Sequence, residues 1–363
     1  LDIKVKNVTE TGLGLTIPSY RVDVQREVDV IEEILRVYGY NNVKSGQKLN
    51  ASIAASSKFE DHKLEQKIGD QLAAQGFFEI MTNSLSSPEY VKLTGDLLEE
   101  TSVKMLNPLS GDLSVMRQSM LFTGLEALSY NINRKKQNLK FFEFGKTYSK
   151  EKENQKEQKH LALYLTGNRH DDSWALSSKK SDFFFLKTTI ENILGRLGVS
   201  STNSVPTENG QFSEGLILKS KKKDLVRFGI VNKSILKKFD IKQEVLFADF
   251  NWDAVAALAT NNEIVFSAIP KYPEVKRDFA LLLDDEVPFK KIYDLGFHTE
   301  KKLIKNINLF DVYKGSKLPK GKKSYAVSFT LLDEKSTLTD KQIDKIMGKL
   351  QARYKKELGA ELR

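Results

Sequence analysis

The order of helical and extended patterns predicts an α+β protein: an antiparallel sheet core followed by a smaller domain. Three features carry this expectation. Met105–Tyr148 runs from a turn-rich loop through an amphipathic helix into an aromatic strand. The surrounding segments mix helices and strands without the regular alternation of a doubly wound sheet. Residues 268–363 set two helices among four strands in the order β-α-β-β-α-β, the ferredoxin-like arrangement, which by itself says nothing of function.

Composition narrows the classes. At 363 residues the chain is long for one domain. A hydrophobic fraction of 40% supports real cores, and 29% charged residues is ordinary for a soluble protein. No stretch approaches the roughly 18 apolar residues of a membrane span, and LDIKVKNVTE has no apolar signal region. The expectation is a soluble cytoplasmic protein without membrane association. The chain has no cysteine, which excludes disulfides, a cysteine nucleophile and thiolate zinc sites. His62, His160, His170 and His298 lack ligand spacing, and neither a Gly-x-x-x-x-Gly-Lys loop nor a Gly-x-Ser-x-Gly elbow occurs. The formal charge of +9 is uneven: residues 268–363 hold 21 Lys/Arg against 14 Asp/Glu, a net of +7, whereas residues 1–43 hold 5 against 7, a net of −2. Such a basic segment attracts polyanions such as nucleic acid, although a solvated lysine surface reads the same way.

In chain order, Gly12–Thr16 and Ser19–Val24 read as extended segments. Asp29–Tyr38 is an amphipathic helix with Val30, Ile31, Ile34, Leu35 and Tyr38 on its apolar face and Gly39 beyond its end. Asp29, Glu32 and Glu33 project from one side of its first turn, and Asp23 can fold back to the same place. Two readings stay open: Asp29-x-x-Glu32 is a capping box, or the four carboxylates form a hard-oxygen site for Mg²⁺. Residues 43–57 read as a linker. A helix over Phe59–Gln75 leads to a strand over Phe77–Ser84. Leu121, Leu125, Leu128 and Ile132 mark the next helix and Leu139–Tyr148 its following strand, while Lys150–Lys159 is a charged loop. Then come a strand at His160–Thr166, a helix at Asp182–Leu197, a hairpin of Gly215–Lys219 with Leu225–Val231, and a strand at Val245–Asn251. The C-terminal domain opens after Ile269-Pro270. It comprises a strand at Val275–Leu283, a helix at Pro288–Phe297, strands at Lys302–Tyr313 and Ser324–Leu332, a helix at Thr339–Leu358 and a short final strand.

Several of these stretches resemble one family. NPLSGDLSVMRQSMLFTGLEALSYNINR with FFEFGKTY is similar to the core of the beta subunits of bacterial phenylalanine–tRNA ligase, and Arg117 stands where the family's motif has arginine. Pro18-Ser19-Tyr20-Arg21-Val22-Asp23, Asp29-x-x-Glu32-Glu33 and Tyr38-Gly39-Tyr40 resemble its P-S-W-R-x-D, D-x-x-E-E and Y-G-Y signature, with Tyr20 in place of tryptophan. GFFEIMTNSL resembles the class II synthetase motif that forms subunit interfaces. PKYPEVKRDFALLLDDEVPF, LFDVYKG and LTDKQIDKIMGKL resemble its ferredoxin-fold anticodon-binding domain.

The resemblance implies three parts. Residues 1–43 would be the C-terminal half of a magnesium-binding, winged-helix-like domain, entered partway at Leu1. Residues 44–267 would be a class II synthetase-like sheet core without catalytic residues, and residues 268–363 the anticodon-binding domain. It further implies an alpha2-beta2 heterotetramer in which the alpha subunit uses ATP to attach phenylalanine to tRNA(Phe). Asp23, Asp29, Glu32 and Glu33 would bind a Mg²⁺ shared with that subunit. Consistent with an inert core, the strand at Leu139–Tyr148 offers Glu143 but no arginine, and Phe247–Ala259 lacks the arginine that clamps ATP phosphates. Lys276, Arg277, Lys322 and Lys323 are the candidate phosphate contacts; Tyr272, Tyr313, Tyr325 and Phe329 supply aromatics of the kind that stack bases, most of them expected to face the core. Two other classes remain: a stand-alone RNA-binding protein without a ligase partner, and a self-sufficient class II-like ligase, which would need ATP-clamping arginines.

Overall fold

The computed structural model describes residues 1–44, 46, 61–152, 154–199, 202–207, 209–259, 266, 268–315 and 318–363. The linker expected over 43–57 and the helix start at Phe59 lie largely outside them. The chain divides into two compact units, Leu1–Asn262 and Glu263–Arg363.

The first unit opens with an antiparallel hairpin of β1 (Lys4–Val8) and β2 (Leu13–Thr16). Ser19–Val24, expected to be extended, instead turns twice: Arg21 N–H donates to the Pro18 carbonyl at 3.0 Å and Val24 N–H to that of Arg21 at 3.3 Å. Helix α1 then spans Glu27–Tyr38, starting two residues before the expected Asp29. The Asp29 carboxylate sets that start by accepting the Arg26 N–H at 2.8 Å, which places it at the third helical position. Its apolar stripe has the expected spacing, but Ile31, Ile34 and Tyr38 are exposed and Glu33 is the buried residue.

After α2 (Asp61–Ala74), the chain makes a short strand β3 (Phe78–Glu79), much less than the expected Phe77–Ser84. Next come β4 (Leu85–Ser86), β5 (Val115–Met116), α3 (Leu121–Ile132), β6 (Leu139–Glu151), β7 (Asn154–Thr166) and α4 (Phe183–Arg196). The unit closes through β8 (Asn203–Pro206), β9 (Phe212–Ser220), β10 (Lys223–Val231), α5 (Lys233–Lys238), β11 (Val245–Asn251) and α6 (Trp252–Ala259). Seven strands form one sheet in the order β3-β6-β7-β11-β10-β9-β8, and only the β3–β6 edge pair is parallel.

Alternation along each strand gives this sheet two apolar faces. On one face α2, α4 and α6 pack Ile68, Leu72, Leu186, Ile190 and Trp252 against Phe142, Leu163 and Phe250. On the other, α3 and α5 pack Leu121, Leu125, Leu128 and Ile235 against Phe141, Tyr164 and Phe247. Each fully buried leucine or isoleucine stabilises the fold by about 1.5–3 kcal/mol. The charged stretch Lys150–Lys159 is no loop. It extends β6 and β7 into a long hairpin pairing Ser149 with Lys156 and Glu151 with Asn154. Strand pairing satisfies the backbone whatever the side chains, and these stay in solvent, as in the ion pairs Lys146–Glu157 (2.6 Å) and Lys156–Glu151 (3.2 Å).

The second unit contains β12 (Val275–Asp284), α7 (Phe289–Thr299), β13 (Ile304–Tyr313), β14 (Lys322–Leu331), α8 (Asp340–Leu358) and β15 (Glu361–Leu362). The antiparallel order β13-β14-β12-β15 is that of the ferredoxin-like fold. Helix α8 begins with a capping box in which the Thr339 N–H donates to Gln342 at 2.9 Å, and it stops at Gly359, whose left-handed φ of 60° suits glycine. Ile343, Ile346, Leu350 and Tyr354 point inward as their spacing requires.

The close approach of α3 to the sheet gives a contrast between two glycines. A Cβ at Gly124 would lie 2.1 Å from the buried Tyr164 ring, whereas one at Gly195 in α4 meets nothing within 4 Å. Gly124→Ala should therefore destabilise the protein by roughly 1–3 kcal/mol, and Gly195→Ala should stabilise it by about 0.5–1 kcal/mol. Urea unfolding of both variants checks this.

Candidate functional site

Three of the four candidate acids in the first 43 positions, Asp23, Asp29 and Glu33, are drawn to arginines. The Arg21 guanidinium bridges Asp23 at 2.9 Å and Glu33 at 3.0 Å, and Arg36 holds the second Glu33 oxygen at 3.1 Å. Asp29 turns back to its own helix start, accepting the N–H groups of Gln25 (3.0 Å) and Arg26 (2.8 Å) and pairing with the Arg26 guanidinium at 3.0 Å. The Arg26 side chain and these backbone donors lower the Asp29 pKa to about 2, and Arg21 lowers that of Asp23. Glu32 is exposed. The capping role therefore falls to Asp29 as the acid of the box with Arg26, not to an Asp29–Glu32 box. Four hard-oxygen donors suit Mg²⁺ chemically. As placed they do not converge: among the described residues no three acids or histidines lie together to hold a metal ion. The arginine ligands of these acids were not legible, because charge patterning does not say which cation a carboxylate turns toward.

A second polar constellation lies in the seven-stranded sheet, on the face covered by α3. Arg117 is 3% exposed and Glu143 1%, and the two pair at 3.0 Å. The Arg117 Nη1 also donates to the hydroxyls of Thr82 (2.7 Å) and Thr123 (3.3 Å), and Nε to the Lys146 carbonyl (2.9 Å). The Thr82 hydroxyl in turn donates to Glu143 Oε2 at 2.7 Å, and the Thr82 N–H to Oε1 at 3.2 Å. A Cβ at Gly145 would strike the guanidinium at 2.3 Å, so glycine there leaves the arginine its room. Further along the same face, His160 Nδ1 meets Asp249 at 2.6 Å and Nε2 meets the Thr147 hydroxyl at 2.8 Å. Arg227, opposite Asp249 in the register, is tied to Asp224 at 3.2 Å. The sequence marked Arg117 and Glu143 separately, but apart from Thr123, six positions from Arg117, their partners come from 26 to 61 positions away and carry no local signal.

In the second unit the four candidate phosphate contacts are placed differently from one another. Lys276 is exposed on β12. Arg277 lies 3.6 Å from Asp340, and Lys322 pairs with Asp284 at 2.8 Å. Lys323 is 5% exposed. Its ammonium donates to the Asp285 carbonyl at 2.5 Å and sits 4.7 Å from the centre of the Tyr325 ring, so it is engaged within the fold. Tyr325 and Phe329 are buried in the core, whereas Tyr272 and Tyr313 are partly exposed.

These geometries predict two outcomes. Arg117→Met leaves Glu143 buried without its counter-charge and should cost about 3–5 kcal/mol, while the double change Arg117→Met with Glu143→Leu should recover much of that loss; chemical denaturation of the three variants measures the coupling. For Asp29, the lowered folded-state pKa means that its stabilisation is complete above the ordinary value of 3.8 and is lost as pH falls toward about 2. Asp29→Asn should therefore flatten the acid limb of a stability-versus-pH curve in that window and leave its upper part parallel to the parent.

Three family models match the chain. Residues 47–252 match the phenylalanyl tRNA synthetase beta chain CLM domain, residues 270–363 the ferredoxin-fold anticodon binding domain and residues 1–40 the tRNA synthetase B5 domain. Curated relatives called phenylalanine–tRNA ligase beta subunit include those of Bacteroides thetaiotaomicron (44% identity) and Porphyromonas gingivalis (39%). Each aligns with 100% of this chain and 46% of its own length. That of Clostridium tetani is 33% identical over 100% of this chain and 45% of its own. The chain thus spans about half the length of the curated relatives it matches. A solved pyrrolysyl tRNA synthetase from Desulfitobacterium hafniense superposes on 54% of this chain and 68% of its own, with 18% identity and a TM-score of 0.43. By the extent of the beta-chain match, this chain belongs to the phenylalanyl-tRNA synthetase beta chain family.

Proposed function

We propose that this chain is a non-catalytic part of phenylalanine–tRNA ligase, supporting an alpha subunit that uses ATP to attach phenylalanine to tRNA(Phe) in the cytoplasm. One observation carries the reading. On the sheet face covered by α3, the arginine that lies within the fold, Arg117, is sealed against Glu143, while Arg227 at the surface pairs with Asp224. The buried Arg117 guanidinium is not free to clamp a nucleotide phosphate, which a self-sufficient ligase would require. The chain's contribution is then structural, through assembly into an alpha2-beta2 heterotetramer and contact with tRNA.

Apolar side chains near the short edge strand support the assembly role. Phe78 is 68% exposed, Met81 95%, Leu106 96% and Leu109 100%. The segment after β3 is tied to β5 where Arg117 N–H donates to the Ser84 carbonyl and β4 pairs with β5, and Leu106 and Leu109 lie in the loop before β5. Large apolar side chains held this far out of the core are candidates for a protein contact. For RNA, Lys276 and Arg277 at one end of the β12–β14 pair and Lys322 at the other remain as surface cations, while Lys323 is engaged within the fold. For metal, Asp23, Asp29, Glu32 and Glu33 are the Mg²⁺ candidates, in competition with Arg21 and Arg26 for the same oxygens. Bound there, Mg²⁺ would supply charge that ties this chain to its partner.

Co-purification with a bacterial phenylalanine–tRNA ligase alpha subunit, with and without Mg²⁺, tests the proposal. A stable complex that weakens without Mg²⁺ and is lost in Met81→Asp with Leu109→Asp is expected. Arg21→Ala should increase Mg²⁺ binding by freeing Asp23 and one oxygen of Glu33, the other staying with Arg36. Absence of a complex contradicts the scaffold role, and unchanged metal binding in Arg21→Ala contradicts the acidic site.

A further inference from the structure

The excursion between β7 and α4 is built as a pinned finger. Gly167, at a left-handed φ of 75°, starts it, and a Cβ there would lie 2.3 Å from the Gln137 carbonyl. Its base is closed by Arg169 N–H to the Lys179 carbonyl (2.8 Å), Ser181 N–H to the Gly167 carbonyl (2.9 Å) and the Arg169–Asp182 ion pair (2.8 Å). The Arg169 guanidinium also stacks 4.7 Å from the Phe185 ring centre. Lower in the finger, Asn138 donates to Asp171 at 2.8 Å. At the far end Trp174 is 100% exposed and Leu176 61%. Tryptophan is highly buried in most folds, and holding one in water on an ordered base is the arrangement of an interface anchor whose ordering cost is already met.

The same end of the sheet carries a receptor for such an anchor. A cavity of about 460 Å³ is floored by Ile230, Leu236 and Ile241 and edged by Lys233, Lys237 and Lys242. Asp240 and Glu244 share the rim, leaving it a net charge of +1, whereas Asp171 and Asp172 stand three and two positions before Trp174. Gln243, also on the rim, donates to the Gln137 carbonyl at 2.8 Å and the Thr166 hydroxyl at 2.7 Å. Finger root and cavity rim are therefore joined through the same turn. A surface that bears an anchor beside a matching cavity is self-complementary, which is the condition for a closed two-fold contact.

We infer that Trp174 of one copy inserts into the lysine-edged apolar cavity of a second copy, and reciprocally, forming a two-fold dimer of this chain. The inference stands apart from the alpha-subunit reading, since it uses neither the β3 edge nor Asp23, Asp29, Glu32 and Glu33. It is also easy to observe, because the chain has only two tryptophans and Trp252 is 1% exposed. Emission from the fully exposed Trp174 should lie to the red of that from the buried Trp252 and so report on Trp174.

Sedimentation equilibrium and tryptophan emission of the full chain, followed across micromolar concentrations, test it. The mass should rise from one chain toward two as the Trp174 emission moves to the blue. Trp174→Ala, fully exposed and so harmless to the fold, should weaken association by about thirtyfold or more. Lys237→Glu should also weaken it, and mixing Lys237→Glu with Asp172→Lys should restore association between the two variants. A chain that stays monomeric with red emission overturns the inference, as does a dimer indifferent to Trp174→Ala. Blue emission independent of concentration would mean that the finger enters its own cavity, and a dimer indifferent to Lys237→Glu would overturn the cavity assignment.

Discussion

The buried ion pair between Arg117 and Glu143 is the constraint on which the larger sheet depends. Two charges removed from water are tolerable only when every donor and acceptor around them is satisfied. That requirement fixes where four separate pieces of chain must meet: the segment after β3 that carries Thr82, the strand end before α3, the first turn of α3 that carries Thr123, and the middle of β6. The parallel edge strand is only two residues long, and its position is secured as much by the Thr82–Glu143 bonds as by its ladder. Gly145 and Gly124 are then required beside it, one to admit the guanidinium and the other to admit Tyr164.

This arrangement connects structure to the proposed role. A polar sheet face with an arginine and a carboxylate is raw material for nucleotide chemistry, but here the pair is closed on itself. The His160–Asp249–Thr147 chain likewise uses its hydrogen-bonding capacity internally. Stability gained by satisfying these groups is reactivity forgone. Among its exposed side chains the unit also presents large apolar ones: Met81, Leu106, Leu109 and, on its finger, Trp174. Exposed anchors of this kind suit a protein that works by assembly.

Much of this was legible in the sequence, for identifiable reasons. The helices with strong periodicity, such as that of Ile343, Ile346, Leu350 and Tyr354, appeared where the spacing required, and the β-α-β-β-α-β order of the second unit followed from patterns of period two and period 3.6. Lys150–Lys159 was misread as a loop because strand pairing there is a backbone affair with solvated side chains, to which hydrophobic patterning is blind. Short elements such as α5 and β8 carry too few residues for a periodic signal. At the candidate site, residue types were legible but partners were not. The acids near Asp23 could be counted, whereas their capture by Arg21 and Arg26 is a matter of geometry. Lys323 looked like any surface lysine, yet its register opposite Leu283 carries it inward to the Asp285 carbonyl.

The central claim is that the sealed polar face leaves this chain without ligase chemistry of its own. The most direct measurement is phenylalanine-dependent exchange of pyrophosphate into ATP by the purified chain, alone and after addition of an alpha subunit. The account predicts no exchange above background by the chain alone and robust exchange with the alpha subunit present. Exchange by the isolated chain that disappears in Arg117→Met would contradict it, because the guanidinium would then be serving a nucleotide and not Glu143.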